Sequence, residues 1–150
     1  IEKKGINLLP ITLHVGLGKF RHVEVEDLTK HRMDSEFFEI PDYTAEEVNK
    51  AIDNKKKIIA VGTSVARVLE ANTTAGRMIR SGKGWTDKFL YPPQTLKVVD
   101  KFVTNFHNPQ STMVMMVCAF SDKDLVMKVY KKAVKDKYRF YSYGDSMFYI

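Results

Sequence analysis

The feature that most constrains the fold is an apolar run that ends at a glycine and continues into a helical pattern. Residues 57–61, Lys-Ile-Ile-Ala-Val, have the character of a buried β-strand, and Gly62-Thr63-Ser64 follows them as a tight turn. From this turn a short helix is predicted through Ala71. The order strand, tight turn, helix is typical of α/β proteins.

The turn at residues 62–64 has two interpretations. Backbone N–H groups at the start of a helix, together with the helix dipole, suit a carboxylate or a phosphate. Alternatively, Thr63 or Ser64 simply caps the helix. Arg67 and Glu70 follow three residues apart, a spacing that permits an ion pair on the helix surface.

Strand and helix patterns alternate along the rest of the chain. Strands are predicted at 11–15, 85–91, 97–106 and 147–150, and helices at about 44–54, 111–120 and 122–137. Thr44 with Glu47 forms a capping box, and Ser121 with Asp124 forms a similar capping pair. Residues 72–84 are interpreted as an exposed loop. Because 150 residues fit one domain, we predict a single α/β domain with a mixed sheet and flanking helices.

Composition indicates the setting in which the protein works. With 44% hydrophobic and 28% charged residues the chain is an ordinary soluble fold. The longest apolar run, Met113 to Phe120, is far shorter than the roughly 20 residues of a membrane helix, so we expect no membrane association. Cys118 lies within this run and is the single cysteine, which predicts a buried, unreactive thiol and a cytoplasmic location. Because the chain begins at Ile1 instead of Met, we expect it to be a piece of a longer protein.

Charge is distributed unevenly along the chain, whose net charge is +6. Residues 24–47 hold nine acids and two bases, whereas the remaining residues hold 22 bases and nine acids. One face of the predicted 122–137 helix carries Lys128, Lys131, Lys132 and Lys135. A basic face either attracts a polyanion or is simply solvated, and charge alone leaves both interpretations open.

The densest polar cluster is Thr-Asn-Phe-His-Asn-Pro-Gln-Ser-Thr at 104–112. It lies between a predicted strand and a predicted helix, which is where α/β folds place ligands. His107 is the acid or base candidate within it, since histidine changes charge near neutral pH. The alternative is that these side chains only satisfy the turn and cap the following helix.

Other motifs carry less information about chemistry. Gly16-Leu17-Gly18 does not extend to GxGxxG, because residue 21 is Arg, so it favours a tight turn. Neither HxH nor HExxH spacing occurs, and we expect no metal site. Asp145, which follows Tyr-Gly, is either an active-site carboxylate or part of a turn. These patterns predict a ligand-binding α/β domain with a basic face, and they name no reaction.

Several segments, in order and with matching gaps, resemble one enzyme family. They are Ile-Thr-Leu-His-Val-Gly-Leu-Gly (11–18), Ile-Ala-Val-Gly-Thr (59–63) with Arg67 and Leu69-Glu70, Gly-Trp-Thr-Asp (84–87), Tyr91-Pro92, Lys-Val-Val-Asp (97–100), Thr-Asn-Phe-His (104–107) with Pro109 and Ser-Thr (111–112), Ala119-Phe120, and Tyr-Arg-Phe-Tyr-Ser-Tyr-Gly-Asp (138–145). Together they resemble the C-terminal part of the S-adenosylmethionine:tRNA ribosyltransferase-isomerases of queuosine biosynthesis.

The resemblance implies that residues 1–150 are the C-terminal portion of the α/β catalytic domain of a larger, two-domain enzyme. Family members are more than twice as long and contain an inserted β-barrel domain that this chain lacks. Asp34 stands where the family usually has His, and His22 stands where it usually has Pro. We therefore expect the isolated chain to be inactive.

The resemblance also implies a reaction. The ribosyl part of S-adenosylmethionine moves to 7-aminomethyl-7-deazaguanine in tRNA and isomerises, giving epoxyqueuosine-tRNA and releasing adenine and methionine. S-adenosylmethionine is a substrate here, so no cofactor and no metal are expected, and the enzyme is expected to be a cytoplasmic monomer. The competing prediction is a non-catalytic basic α/β module that binds RNA or another polyanion.

Carried onto this sequence, the resemblance implies three groups of site residues. The acid–base candidates are His14, His107 and Asp145. The substrate-binding candidates are Gly16, Gly18, Gly62, Thr63, Arg67, Thr104, Asn105, Ser111 and Tyr143. The candidates for tRNA phosphate contacts are Lys128, Lys131, Lys132 and Lys135.

Overall fold

Helices and strands alternate along the chain in the computed structural model, which describes residues 1–16 and 22–150. The strands are β1 (Thr12–His14), β2 (Glu36–Ile40), β3 (Ile59–Val61), β4 (Gly82–Thr86), β5 (Lys101–Asn105) and β6 (Ser146–Tyr149). The α-helices are α1 (Asp42–Asp53), α2 (Thr63–Ala71), α3 (Thr112–Phe120) and α4 (Lys123–Lys135). The predicted substrate-binding residue Gly18 lies outside the described residues.

The strands form two separate sheets instead of the one mixed sheet expected from the sequence. In the first sheet β2 lies between β1 and β4, and both pairs are antiparallel. In the second sheet β5 lies between β3, to which it is parallel, and β6, to which it is antiparallel. The mixed α/β class is confirmed, and the predicted mixed sheet corresponds to the second sheet.

The hydrophobic core takes side chains from both sheets and from all four helices named above. Phe102 of β5 is fully buried, and its ring lies 5.8 Å from that of Phe120 at the end of α3. Val68 of α2 and Val117 of α3 are also fully buried. Burying aliphatic and aromatic side chains is the main favourable term in folding, so this cluster holds α2 and α3 against β5.

Glu70, near the end of α2, is buried instead of forming the predicted surface pair with Arg67. Its carboxylate accepts hydrogen bonds from the backbone N–H groups of Lys97, Val98 and Val99 at 2.8, 2.8 and 3.1 Å. A buried carboxylate is tolerated when donors surround it in this way. Glu70 therefore fixes the segment that leads into β5.

Helix capping differs from the sequence interpretation at three of four helices. Neither Thr63 nor Ser64 caps α2, whose N-cap is Gly62 without a side-chain capping bond. The Thr44 capping box is wrong, because the N-cap of α1 is Pro41 and the Thr44 hydroxyl donates to the Pro10 carbonyl at 2.8 Å. The Ser121 cap is wrong by one residue, since Asp122 accepts from the Leu125 N–H. Ser111 caps α3 as one interpretation predicted, accepting from the Val114 N–H at 3.2 Å.

The predicted loop at 72–84 is anchored to the domain. The Asn49 amide in α1 donates to the Ile79 carbonyl at 2.9 Å and accepts from its N–H at 2.7 Å. Ile79 is buried, and β4 already begins at Gly82. Within the described parts of the chain, no helix is both long and apolar enough to cross a lipid bilayer.

Cys118, the single cysteine of the sequence, lies in α3. We expected a buried thiol, and that expectation is wrong, because Cys118 is only half-buried, although it packs against the core. Burial nevertheless raises the pKa of its thiol. The thiolate is the reactive form, so labelling by a maleimide at pH 7 should be at least about tenfold slower in the native protein than in urea, and should accelerate as the pH rises. Equal native and denatured rates at pH 7 would contradict this.

Candidate functional site

A cavity of about 520 Å³ opens where β3 and β5 end and α2 begins. Both parallel strands present their carboxyl ends to it, which is the usual place for a ligand in an α/β sheet. Its volume is in the range of small-molecule sites. Its walls are formed by Val15, Val61, Gly62, Thr63, Ser64, Val65, Thr104, Asn105, His107, Asn108, Met113, Tyr141 and Ser142.

The first turn of α2 forms one wall of the cavity. Gly62 has a φ of 99°, a backbone conformation that residues with a side chain rarely adopt. Its N–H donates to the Val103 carbonyl of β5 at 2.8 Å. The chain thereby turns sharply from β3 into α2 beside the end of β5. The first N–H groups of any α-helix lack partners within the helix, so this wall is rich in donors.

His107 also lines the cavity and is held by two contacts. Its Nε2 is hydrogen-bonded to the Thr104 hydroxyl at 2.8 Å, and its backbone N–H donates to the Tyr130 hydroxyl at 3.1 Å. Burial raises the pKa of Tyr130 to about 12, although the His107 N–H lowers it, so the phenol stays protonated at neutral pH. His107 is itself only 7% exposed. A buried, oriented imidazole at a cavity wall is the arrangement that general acid–base chemistry requires.

Asn105 connects the cavity to the chain before β6. Its side-chain amide donates to the carbonyls of Gly144 and Asp145 at 3.2 and 3.3 Å. The Tyr141 N–H donates to the Phe106 carbonyl at 2.9 Å. These bonds bring Tyr141 and Ser142 to the cavity, a contribution that the sequence analysis missed because it singled out only the Tyr-Gly-Asp that follows.

Asp145 does not line the cavity. Its carboxylate accepts from the Arg139 N–H and from the Arg139 guanidinium, each at 2.7 Å. The Arg139 hydrogen bond lowers the pKa of Asp145. A side chain at Gly144 would overlap the Arg139 carbonyl. The contacts of Asp145 are thus those of the turn interpretation, and its catalytic role stays a prediction.

Four more predicted residues also lie outside the cavity wall. His14 is exposed on β1, with its ring 5.0 Å from that of Phe37. Tyr143 is 100% exposed. Ser111 is buried, and its hydroxyl donates to the Asn108 carbonyl at 2.8 Å. Gly16 donates its N–H to Glu36 at 3.0 Å. Of the predicted set, the structure brings together Gly62, Thr63, Thr104, Asn105 and His107.

Arg67 lies one turn below the cavity in an ion pair with Glu36 of β2. Both side chains are at least 96% buried, and burial lowers the pKa of Arg67. The other oxygen of Glu36 accepts the Gly16 N–H. The charge of Arg67 is therefore balanced by Glu36 instead of facing the cavity. The sequence analysis did not single out Glu36. Its place two residues before Phe38 and four before Ile40, on the buried face of β2, could have indicated that its carboxylate is buried.

The predicted lysine face is present on α4. Val126 and Ala133 are buried against the domain, whereas Lys128, Lys131, Lys132 and Lys135 are exposed. Lys132 is paired with Asp136 at 2.7 Å, still largely in solvent. Sequence periodicity identified this face correctly, and its contact with tRNA stays a prediction.

The comparisons with known proteins agree with one another. The model of the family described as "Queuosine biosynthesis protein" matches residues 1–149. The chain belongs to this family. The S-adenosylmethionine:tRNA ribosyltransferase-isomerases of Cytophaga hutchinsonii and of a Sulfurihydrogenibium species are 53% and 51% identical to it over all 150 residues. This queuosine-family chain spans 43% and 44% of their lengths.

A solved structure resembles this family member closely. The crystal structure of the S-adenosylmethionine tRNA ribosyltransferase from Thermotoga maritima matches with a TM-score of 0.77 and 37% identity, over 99% of this chain and 47% of that chain. The resemblance read from the sequence is confirmed. The assignment of residues 1–150 to the C-terminal part of a catalytic domain stays a prediction, as do the roles of the site residues.

The buried ion pair predicts a specific pattern of stability. Arg67→Met alone should lower the free energy of unfolding by about 3–5 kcal/mol, because it leaves the Glu36 charge buried without its partner. Arg67→Met with Glu36→Leu should cost less than the sum of the two single variants. Denaturant unfolding measures both effects, and Lys132→Ala, from an exposed pair, should change little. Simple additivity of the Arg67 and Glu36 variants would show that the two charges are not coupled.

Proposed function

We propose that the protein containing this chain transfers the ribosyl part of S-adenosylmethionine to 7-aminomethyl-7-deazaguanine in tRNA and isomerises it, giving epoxyqueuosine-tRNA. The observation that carries the proposal is His107, a buried imidazole that lines the cavity and is hydrogen-bonded to Thr104, in a chain 53% identical to an S-adenosylmethionine:tRNA ribosyltransferase-isomerase. Because the chain spans less than half of such relatives, the proposal concerns the whole protein.

The chemistry needs a base and an acid. The sulfonium of S-adenosylmethionine acidifies the neighbouring 5′ carbon, from which a base must remove a proton, and the departing adenine must receive one. Among the described residues, His107 and Tyr141 are the cavity-lining side chains that exchange protons. We assign His107 a proton-transfer role, because the Thr104 hydroxyl orients its ring at Nε2, while the Tyr130 hydroxyl holds its backbone N–H.

The cavity also suits a reactive intermediate. Val15, Val61, Val65 and Met113 provide apolar walls between the polar groups. Val15 and Val61 are exposed in this chain, so the bound substrate must cover them to keep water from the reacting carbon. S-adenosylmethionine is consumed in this reaction, so the proposal includes no further cofactor, and the proposed site of action is the cytoplasm.

A second candidate, a non-catalytic module that binds RNA, is favoured by the lysine face of α4. Lysines exposed on one helix face attract the phosphate backbone of a nucleic acid, and this attraction weakens as the salt concentration rises. Both candidates predict tRNA binding. They differ in whether adenine is released from S-adenosylmethionine.

Replacing His107 tests the catalytic proposal. In the full-length protein, His107→Ala should lower the rate of adenine release by about 10²–10⁴-fold, which is typical for loss of a positioned acid or base. The assay follows adenine release from S-adenosylmethionine in the presence of precursor tRNA.

His22→Ala is the matched control for that experiment. His22 is exposed, and its Nδ1 contacts the Pro109 carbonyl at 3.2 Å, so it touches the same loop without lining the cavity. It should retain most of the activity. Equal rates for the two variants, with both proteins folded, would remove His107 from the mechanism, and no adenine release from the wild-type protein would favour the binding module.

Replacing Lys131, Lys132 and Lys135 together by alanine tests the lysine face. Each lost phosphate contact should reduce the slope of log K against log salt by about 0.9 for a duplex, so the slope for tRNA should flatten by about 2–3. Lys3, Lys55 and Lys56, which are exposed elsewhere, provide an equal charge change as a control. If both triple variants change the slope equally, the α4 face is merely solvated.

A further inference from the structure

Ser64 carries a buried hydroxyl that no contact explains. It is the second residue of α2, and its side chain is 8% exposed. Its Oγ has no hydrogen-bond partner among residues 1–16 and 22–150. Leaving a buried polar group unpaired is unfavourable. Because Ser64 lines the cavity, rotation about its Cα–Cβ bond presents this hydroxyl to a ligand there.

The position of Ser64 adds a second, independent property. The first turn of α2 presents N–H groups without partners inside the helix, and the helix dipole places partial positive charge there. Carboxylates and phosphates bind readily at such a terminus. Gly62 leaves open space over this turn, since an added Cβ would meet nothing within 4 Å.

The surroundings favour an anion further. No Asp or Glu side chain of the described residues lines the cavity. Arg67, a substrate-binding candidate implied by the resemblance, already has its charge balanced by Glu36. We therefore attribute recognition of an anionic group at this end of the cavity to the first turn of α2 and not to Arg67.

We propose that the first turn of α2, with the Ser64 hydroxyl as a donor, is a subsite for an anionic oxygen group of a substrate. The proposal rests on the function proposed above, whose substrates supply two such groups. One is the carboxylate of S-adenosylmethionine, and the other is a phosphate of tRNA. The subsite orients the substrate against His107, which lines the same cavity.

A binding cycle on the full-length protein tests the subsite. Titration calorimetry measures S-adenosylmethionine and its decarboxylated analogue against wild type, Ser64→Ala and Ser64→Thr. Filter binding measures precursor tRNA against the same proteins, and thermal unfolding of each ligand-free protein reports whether the fold is intact. Ser64→Thr is the matched control, because it keeps the hydroxyl.

If the subsite holds the carboxylate, Ser64→Ala should weaken S-adenosylmethionine binding by about 10- to 100-fold, as for a lost hydrogen bond to a charged group. It should leave the decarboxylated analogue nearly unchanged, and Ser64→Thr should largely restore affinity. If it holds a phosphate, the loss should appear with tRNA instead. In both cases the ligand-free Ser64→Ala protein should unfold at or slightly above the wild-type temperature, since the variant removes an unpaired buried group and no contact.

Three results would overturn the subsite. Unchanged affinity of Ser64→Ala for both substrates would show that the hydroxyl binds neither. Equal losses for S-adenosylmethionine and its decarboxylated analogue, with a lower unfolding temperature, would show that Ser64 serves the fold. If the wild-type protein binds neither substrate, the proposed function itself is refuted. If the wild-type protein and the Ser64→Ala variant bind equally well, only the subsite is refuted.

Discussion

The ion pair between Arg67 and Glu36 joins the two sheets through α2, and the rest of the structure depends on that link. Arg67 reaches β2 of the first sheet, while Glu70, three residues later, binds the backbone that leads into β5 of the second sheet. Removing charges from water costs several kcal/mol for each ion, so such groups persist only where partners are well placed. Helix α2 therefore has its position specified by two polar contacts as well as by the burial of Val68.

The position of α2 determines the candidate site. Because Gly62 turns the chain directly from β3 and bonds to Val103, the helix begins beside the end of β5. His107 and the first turn of α2 therefore line the same cavity. The contacts that orient His107 come from β5 and α4, through Thr104 and Tyr130. A change in the packing of α2 or α4 would therefore reach the imidazole without altering any residue in the cavity.

Local sequence patterns predicted the contacts of a side chain correctly where its partner lies in the same element. They failed where a residue distant in sequence provides the partner. Ser111 caps α3 as its local spacing indicates. Thr44 also has the local spacing of a helix cap, yet its hydroxyl donates to the Pro10 carbonyl, 34 residues away in sequence. Arg67 and Glu70 have the spacing of a surface pair, but each finds a separate buried partner. The partition of the strands into two sheets was missed for the same reason, since strand pairing is a non-local choice.

The sequence by itself determined the α/β class, the strand–turn–helix unit at 57–71, the lysine face of α4, the polar cluster at 104–112 and the family. These features depend on the order and period of residues close together in the chain. Only the tertiary structure decided that His107 and Ser64 share a cavity, that Tyr141 reaches it, and that His14 and Asp145 do not line it. The physical reason is that a cavity is made by segments far apart in sequence, whose meeting depends on buried contacts such as Arg67 with Glu36.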